Sequence, residues 1–129
     1  MPRPRLLVID DEPWLGEFLA AVARASGFET EVTSNDEEFR SRFLAERPSL
    51  VALDLGMPGM DGVELLRFLA EQDFRSPVLI VSGFDRRVLE SAFGLGEALG
   101  LTMAGPLEKP MRAHELEEVL SLLKTNLAA

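Results

Sequence analysis

The sequence predicts an α/β domain, a doubly wound parallel sheet of five strands with helices on both faces. Three observations predict it. Apolar strand-like runs and helix-like stretches alternate five times along the chain. The chain has 129 residues, which suits one domain. Regularly alternating β and α units imply parallel strands joined by crossover helices.

The elements follow in order. Strand one is Arg5 to Ile9 and ends at Asp10 and Asp11. Pro13 suits the first turn of a helix. Leu15, Phe18, Leu19 and Val22 give that helix an apolar stripe, and Gly27 stops it. Phe28 to Thr33 alternates less cleanly and reads as a second strand near an edge. Ser34 and Glu37 have capping-box spacing for helix two. Its buried side is Phe39, Phe43 and Leu44, and Pro48 ends it.

Strand three is Leu50 to Asp54, a short apolar run ending in a lone acid. A loop rich in Gly and Pro follows, Leu55 to Gly62, with Asp61 as N-cap of helix three. The apolar face of that helix is Val63, Leu66, Leu69 and Ala70. Pro77 opens strand four, Val78 to Val81, which ends in Ser82-Gly83. Helix four runs from Asp85 or Arg86 to Leu99 with Val88, Leu89, Ala92 and Phe93 as its apolar residues; Gly94 and Gly96 weaken it. Strand five is Leu101 to Leu107, with Gly105 inside it, ending in Glu108-Lys109-Pro110. Helix five carries Leu116, Val119, Leu120, Leu123 and Leu127.

Composition narrows the function. The net charge is -9, from 22 acids against 13 Lys and Arg. Phosphate backbones and anionic lipid repel such a chain, so direct binding to nucleic acid or membrane is not expected. There is no Cys, which excludes disulfides and thiolate metal sites. No apolar run approaches the length of a membrane span, and the start lacks a signal-peptide core. The expected location is the cytoplasm.

The strand ends carry the chemistry. In open α/β sheets ligands bind at the carboxyl edge. Strand one brings Asp10 and Asp11 there, strand three Asp54, strand four Ser82 and strand five Lys109. Two unit charges ~4 Å apart repel by about 4 kcal/mol at an effective dielectric near 20. A cation, a lysine or protonation must offset that repulsion. Oxygen ligands without His or Cys select a hard ion such as Mg2+, which commonly pairs carboxylates with phosphate and water. The set suits phosphoryl chemistry: a carboxylate nucleophile forms an aspartyl phosphate, while Mg2+ and a lysine neutralise the transferred group. Acids at strand ends also serve as helix caps, and Asp61 is read that way.

LLVIDDEP, LVALDLGMPGMDG, VLIVSG and LEKP, in this order, resemble the receiver domain of two-component response regulators. The resemblance covers essentially the whole chain, so residues 1–129 read as a single receiver domain. It implies a flavodoxin-like (βα)5 fold with strand order 2-1-3-4-5. It implies that Asp54 is the phosphoacceptor of a histidine kinase or phosphotransfer protein. Asp10 and Asp11 would hold Mg2+ together with Asp54, with Asp11 the more direct ligand. The backbone carbonyl of Gly56 would complete the protein's share of the metal shell. Ser82 would be the switch hydroxyl, Lys109 would pair with the phosphoryl group, and the Lys109-Pro110 bond would be cis. Such a domain is not an enzyme beyond its own phosphorylation and dephosphorylation. Helix four, strand five and helix five would form the output face, with Phe84, Phe93 and Leu95 as candidate contacts, and two copies could pair there.

Three features depart from that pattern. Pro106 stands where Tyr or Phe is usual, three residues before the lysine, so the usual coupling of an aromatic ring to the hydroxyl is in question. The hydroxyl is Ser rather than the commoner Thr. The stretch from Ser82 to Lys109 is several residues longer than usual, an excess assigned to helix four. SGFDRRVLESAFGLGEALGLTMAGPLEKP is similar to receivers that precede cyclic-di-GMP phosphodiesterase domains. The output partner is therefore unknown, a missing effector domain of that kind being one reading.

Two rival functions share parts of this chemistry. A haloacid dehalogenase-like phosphatase also uses Asp, Ser or Thr, Lys and Mg2+, and Asp10 with Glu12 loosely imitates its spacing. A flavodoxin-like binder of a phosphorylated cofactor would cradle phosphate with backbone N–H groups, yet the first loop here is Asp10-Asp11-Glu12. Other residues have plainer readings: Trp14 as a partly exposed packing residue that could report Mg2+ by fluorescence quenching, His114 as a surface residue, and Glu12 as an exposed acid at a helix start, with the alternative that its negative charge near the site tunes phosphoryl lifetime.

Overall fold

The computed structural model describes residues 3–55, 62–83 and 86–128. Its elements run β1 (Arg5–Ile9), α1 (Pro13–Ala25), β2 (Glu29–Thr33), α2 (Asp36–Ala45), β3 (Leu50–Leu53), α3 (Gly62–Glu71), β4 (Pro77–Ser82), α4 (Arg86–Ala98), β5 (Thr102–Glu108) and α5 (Ala113–Ala128). The strands form one parallel sheet in the order β2-β1-β3-β4-β5. The predicted alternation, architecture and strand order are all present.

β1, β3 and β4 are apolar along nearly their whole length because both of their faces are covered. Alternate residues go to opposite sides. Leu7, Ile9, Val51, Leu53 and Val78 pack with Phe39, Phe43, Leu65, Leu66 and Leu69 under α2 and α3. Leu6, Val8, Leu50, Ala52, Leu79 and Val81 pack with Leu19, Val22, Leu116, Leu120 and Leu123 of α1 and α5. Gly27, at φ +94, turns the chain out of α1. There Lys124 donates to the Ser26 carbonyl at 3.2 Å and ties α5 to the end of α1.

Several local expectations change. The N-cap of α2 is Asn35, whose side chain accepts from Glu38 N at 2.8 Å, rather than Ser34. Both residues have an acid three positions on, and the extended backbone of Asn35 makes it the last non-helical residue. Leu44, Val63 and Val88, assigned to buried faces, are exposed. In α2 the buried pair Phe39 and Phe43 follows i, i+4 spacing, and Leu44 lies one residue past that row. In α3 the buried residues are Leu65, Leu66, Phe68 and Leu69. The Asp61 cap and the Asp85 start of helix four lie outside the described residues, as does Phe84.

β5 is an outer strand with a break in its pairing. Leu79 pairs with Ala104 and Val81 with Leu107, so β5 carries one extra residue at Gly105-Pro106. Gly105 sits at φ +86, in the region that favours glycine. The bulge adds one residue to β5 relative to its partner β4. It also explains how Pro106 is tolerated in a strand, since an edge and a bulge are the two places that need no N–H there. The Gly105-Pro106 and Lys109-Pro110 bonds are both cis, the second as the family resemblance implied.

Candidate functional site

The strand order reverses between β1 and β3, and ligands of doubly wound sheets bind at such a switch point. Ile9 pairs with Leu53, so the residues that follow them, Asp10 and Asp54, leave the sheet side by side. Asp54 N donates to the Ile9 carbonyl at 3.1 Å and Asp10 N to the Thr33 carbonyl at 3.0 Å, which fixes both main chains. Asp54 is 4% exposed and Asp10 2%. Ser82, the last residue of β4, is fully buried. Its carbonyl accepts from Lys109 N at 3.0 Å, so the main chain that presents the lysine is tied to the strand that presents the hydroxyl.

The Lys109 ammonium stands among three acids. It donates to Asp54 Oδ2 at 3.0 Å and Glu12 Oε1 at 3.2 Å, and Asp10 Oδ2 lies 3.3 Å away. Burial works against the ammonium, but the bonds and charges of Asp54, Asp10 and Glu12 outweigh it and hold the lysine above its ordinary range. Asp10 is pushed the other way from a typical paired carboxylate. Burial raises it, the Asp54 charge adds to that, and the Glu12 N–H and Lys109 only partly counter. Asp10 Oδ1 accepts from Glu12 N at 2.9 Å. Its Oδ2 is buried and accepts no hydrogen bond of good geometry, despite the nearby ammonium.

The donor set fits a hard cation. Asp10, Asp11, Glu12 and Asp54 each offer one carboxylate oxygen, and these oxygens lie within 4.8 Å of one another. All are oxygen ligands, Asp11 faces solvent, and the orphaned Asp10 Oδ2 is a buried acceptor of the kind that a cation satisfies. Gly56, whose carbonyl was expected to join them, lies outside the described residues.

The structure thus gathers Asp10, Asp11, Asp54 and Lys109, and brings Ser82 to the same sheet edge on the strand beside β3. Glu12 is exposed at the start of α1, as the sequence suggested, and is also an ion-pair partner of Lys109. The signal available was its place directly after two site acids. Trp14 is 67% exposed, more than a packing residue, and His114 is exposed. Trp14, Leu15, Phe18, Pro110 and Met111 line a largely apolar recess of about 360 Å³ that opens beside Glu12, Gly83 and Lys109. Among the described residues no helix is long and apolar enough to cross a membrane.

Residues 6–121 match the model of the response regulator receiver domain family. The DNA-binding response regulator MtrA of Mycolicibacterium smegmatis is 39% identical over 80 residues, which are 62% of this chain and 35% of that protein. The positive alginate biosynthesis regulatory protein of Pseudomonas aeruginosa is 32% identical over 118 residues, 89% of this chain and 45% of that protein. The chain therefore spans less than half the length of either relative. A response regulator from Colwellia psychrerythraea has a similar solved structure, with a TM-score of 0.82 at 27% identity, covering 97% of this chain and 99% of that one.

Proposed function

The chain belongs to the response regulator receiver domain family, and from that premise we propose that Asp54 is its phosphoacceptor. Receiver domains are signalling domains partnered with histidine kinases. In the proposed step an Asp54 carboxylate oxygen attacks the phosphorus of a phosphohistidine. The P–O bond to Asp54 forms, the P–N bond breaks, and the imidazole leaves with the electron pair. Water later returns the group as inorganic phosphate.

The observation that carries this reading is the Lys109–Asp54 pair at 3.0 Å, inside a cluster of acids at the sheet's switch point. The lysine is positioned to follow charge from the carboxylate to the phosphoryl oxygens. Asp11, Asp10, Asp54 and the Gly56 carbonyl would hold Mg2+. When bound, Mg2+ supplies positive charge for the oxygens of the transferred group. Ser82 would donate to one phosphoryl oxygen. Its movement would draw the loop after β4 and bias α4, so that α4, β5 and α5 report the phosphorylated state. Exposed Val88 and Leu122 and half-buried Phe93 and Leu95 are candidates for contact with an effector or a second copy. The relatives named as DNA-binding regulators and the resemblance to phosphodiesterase-linked receivers leave two classes of effector, both compatible with a cytoplasmic location.

Intact mass after incubation with Mg2+ and acetyl phosphate tests the reading. One phosphoryl group on the wild type and none on Asp54→Ala is expected. An adduct on both would move the acceptor elsewhere. Steady turnover of a phosphomonoester would favour the phosphatase, and a tightly bound flavin the cofactor binder; the family match favours neither.

A further inference from the structure

The Glu12–Lys109 pair has no place in that mechanism, and it bears on how fast the mechanism starts. A lysine has three N–H donors. Here one goes to Asp54 Oδ2, one to Glu12 Oε1, and Asp10 Oδ2 faces the ammonium at 3.3 Å. An arriving phosphoryl oxygen gains its full share of the ammonium only when one acid lets go. Asp54 and Asp10 are walled in, whereas the Glu12 side chain is 47% exposed and can swing into water.

Glu12 is also held where it can do this. It occupies the N-cap of α1, but its side chain makes no cap hydrogen bond. Its carbonyl accepts from Leu15 N and Gly16 N, and its own N–H goes to Asp10 Oδ1. The backbone is fixed at both ends, and the carboxylate is left to span the mouth of the site. A phosphodonor that enters there brings negative charge of its own.

We infer that Glu12 is a positioning residue that restrains phosphorylation: it occupies Lys109 in the resting domain and yields it as the phosphoryl group arrives. The inference rests on Asp54 being the phosphoacceptor. Its chemistry predicts a brake on anionic donors, released by removing one charge.

The test is a time course of adduct formation on the full chain with acetyl phosphate at saturating Mg2+. Glu12→Gln keeps the shape and removes the charge. Its rate constant should rise about two- to fivefold, the scale of a partly exposed ion pair. Because Glu12 also belongs to the acid cluster that fits the cation, Mg2+ affinity is measured by titration alongside, and a loss of less than about tenfold is expected. In Mg2+-free urea unfolding, the midpoint shift caused by Glu12→Gln should differ between the wild-type and Lys109→Met backgrounds, which reports the coupling directly. An unchanged or slower rate overturns the inference. So does a tenfold loss of Mg2+ affinity, which would make Glu12 a metal ligand. Equal midpoint shifts in both backgrounds also overturn it. A wild type that forms no adduct at all overturns the phosphoacceptor reading first, and this one with it.

Discussion

Lys109 and Asp54 are 55 residues apart in sequence, yet Nζ and Oδ2 meet at 3.0 Å, with the lysine side chain 12% exposed and the aspartate 4%. The pair is therefore a partly desolvated one, where losing one partner costs more than the pair contributes. Lys109→Met leaves Asp10, Asp54 and Glu12 facing one another. In EDTA it should lower unfolding free energy by about 2 kcal/mol, a value discounted for the exposure of Glu12. Saturating Mg2+ should restore part of that loss by mass action. Urea midpoints measured with and without Mg2+ check both statements.

Asp10 gives a prediction with a definite pH sense. Its folded form is raised above the ordinary 3.8, so the native state holds this proton more tightly than the unfolded chain. Stability must then fall as pH rises from about 3.8 through the folded value, and the ionised group is a liability above it. Asp10→Asn should stabilise the metal-free protein by about 1 kcal/mol at neutral pH. The advantage should shrink as pH falls through the same window. The same change should abolish most of the rise in Tm on adding Mg2+. Lys109 acts at the other end: its raised value keeps its stabilisation until pH climbs past 10.5.

Ser82 is fully buried at the end of β4, on the strand beside the one that carries Asp54. Ser82→Ala should still take up a phosphoryl group on Asp54. Hydrogen exchange should then show a smaller change in residues 86–98 on phosphorylation than in the wild type. An undiminished change would remove Ser82 from the switch.

Two glycines of α4 should respond oppositely to the same substitution. A Cβ at Gly94 meets nothing within 4 Å, so Gly94→Ala should stabilise by about 0.5–1 kcal/mol through helix propensity. A Cβ at Gly96 would collide with Met103 Sδ and sit 2.8 Å from its Cγ and Cε. Gly96→Ala should lose that gain to the shift it forces on the Met103 side chain, for a net cost of up to about 1 kcal/mol. Thermal unfolding of the two variants side by side decides it.

The central sheet was legible because nothing competes with an apolar run that ends in an acid: β1 reads the same in sequence and structure, and β3 differs only in stopping at Leu53, just before Asp54. Asp10, Asp54 and Ser82 were legible for the same reason, since each stands at the end of a buried strand, and Lys109 follows the outer strand β5 in the same way. Helix faces were harder. Leu44, Val63 and Val88 are apolar, and only the direction of the neighbouring sheet decides that they face water. The choice between Ser34 and Asn35 turned on one residue's backbone angles, which two equally good capping residues leave open. The Glu12–Lys109 contact joins residues 97 apart through two side chains, and no periodicity encodes it.

The bulge in β5 has a consequence beyond strand length. An outer strand offers a row of unpaired N–H and C=O groups on which a second chain can build. β5 is such a strand, but its row is broken at its middle. Pro106 has no N–H to offer, and Gly105 turns the main chain out of the extended path. What remains are the short pieces Thr102–Ala104 and Leu107–Glu108, too brief to template a growing fibril. The opposite border, β2, carries Glu29 and Glu31 along its five residues, with the Glu31 carboxylate held by Arg5 and Arg42. The β5 margin is thus closed to strand-by-strand growth by geometry, so that a second copy meeting this face would do so through side chains and not by extending the sheet.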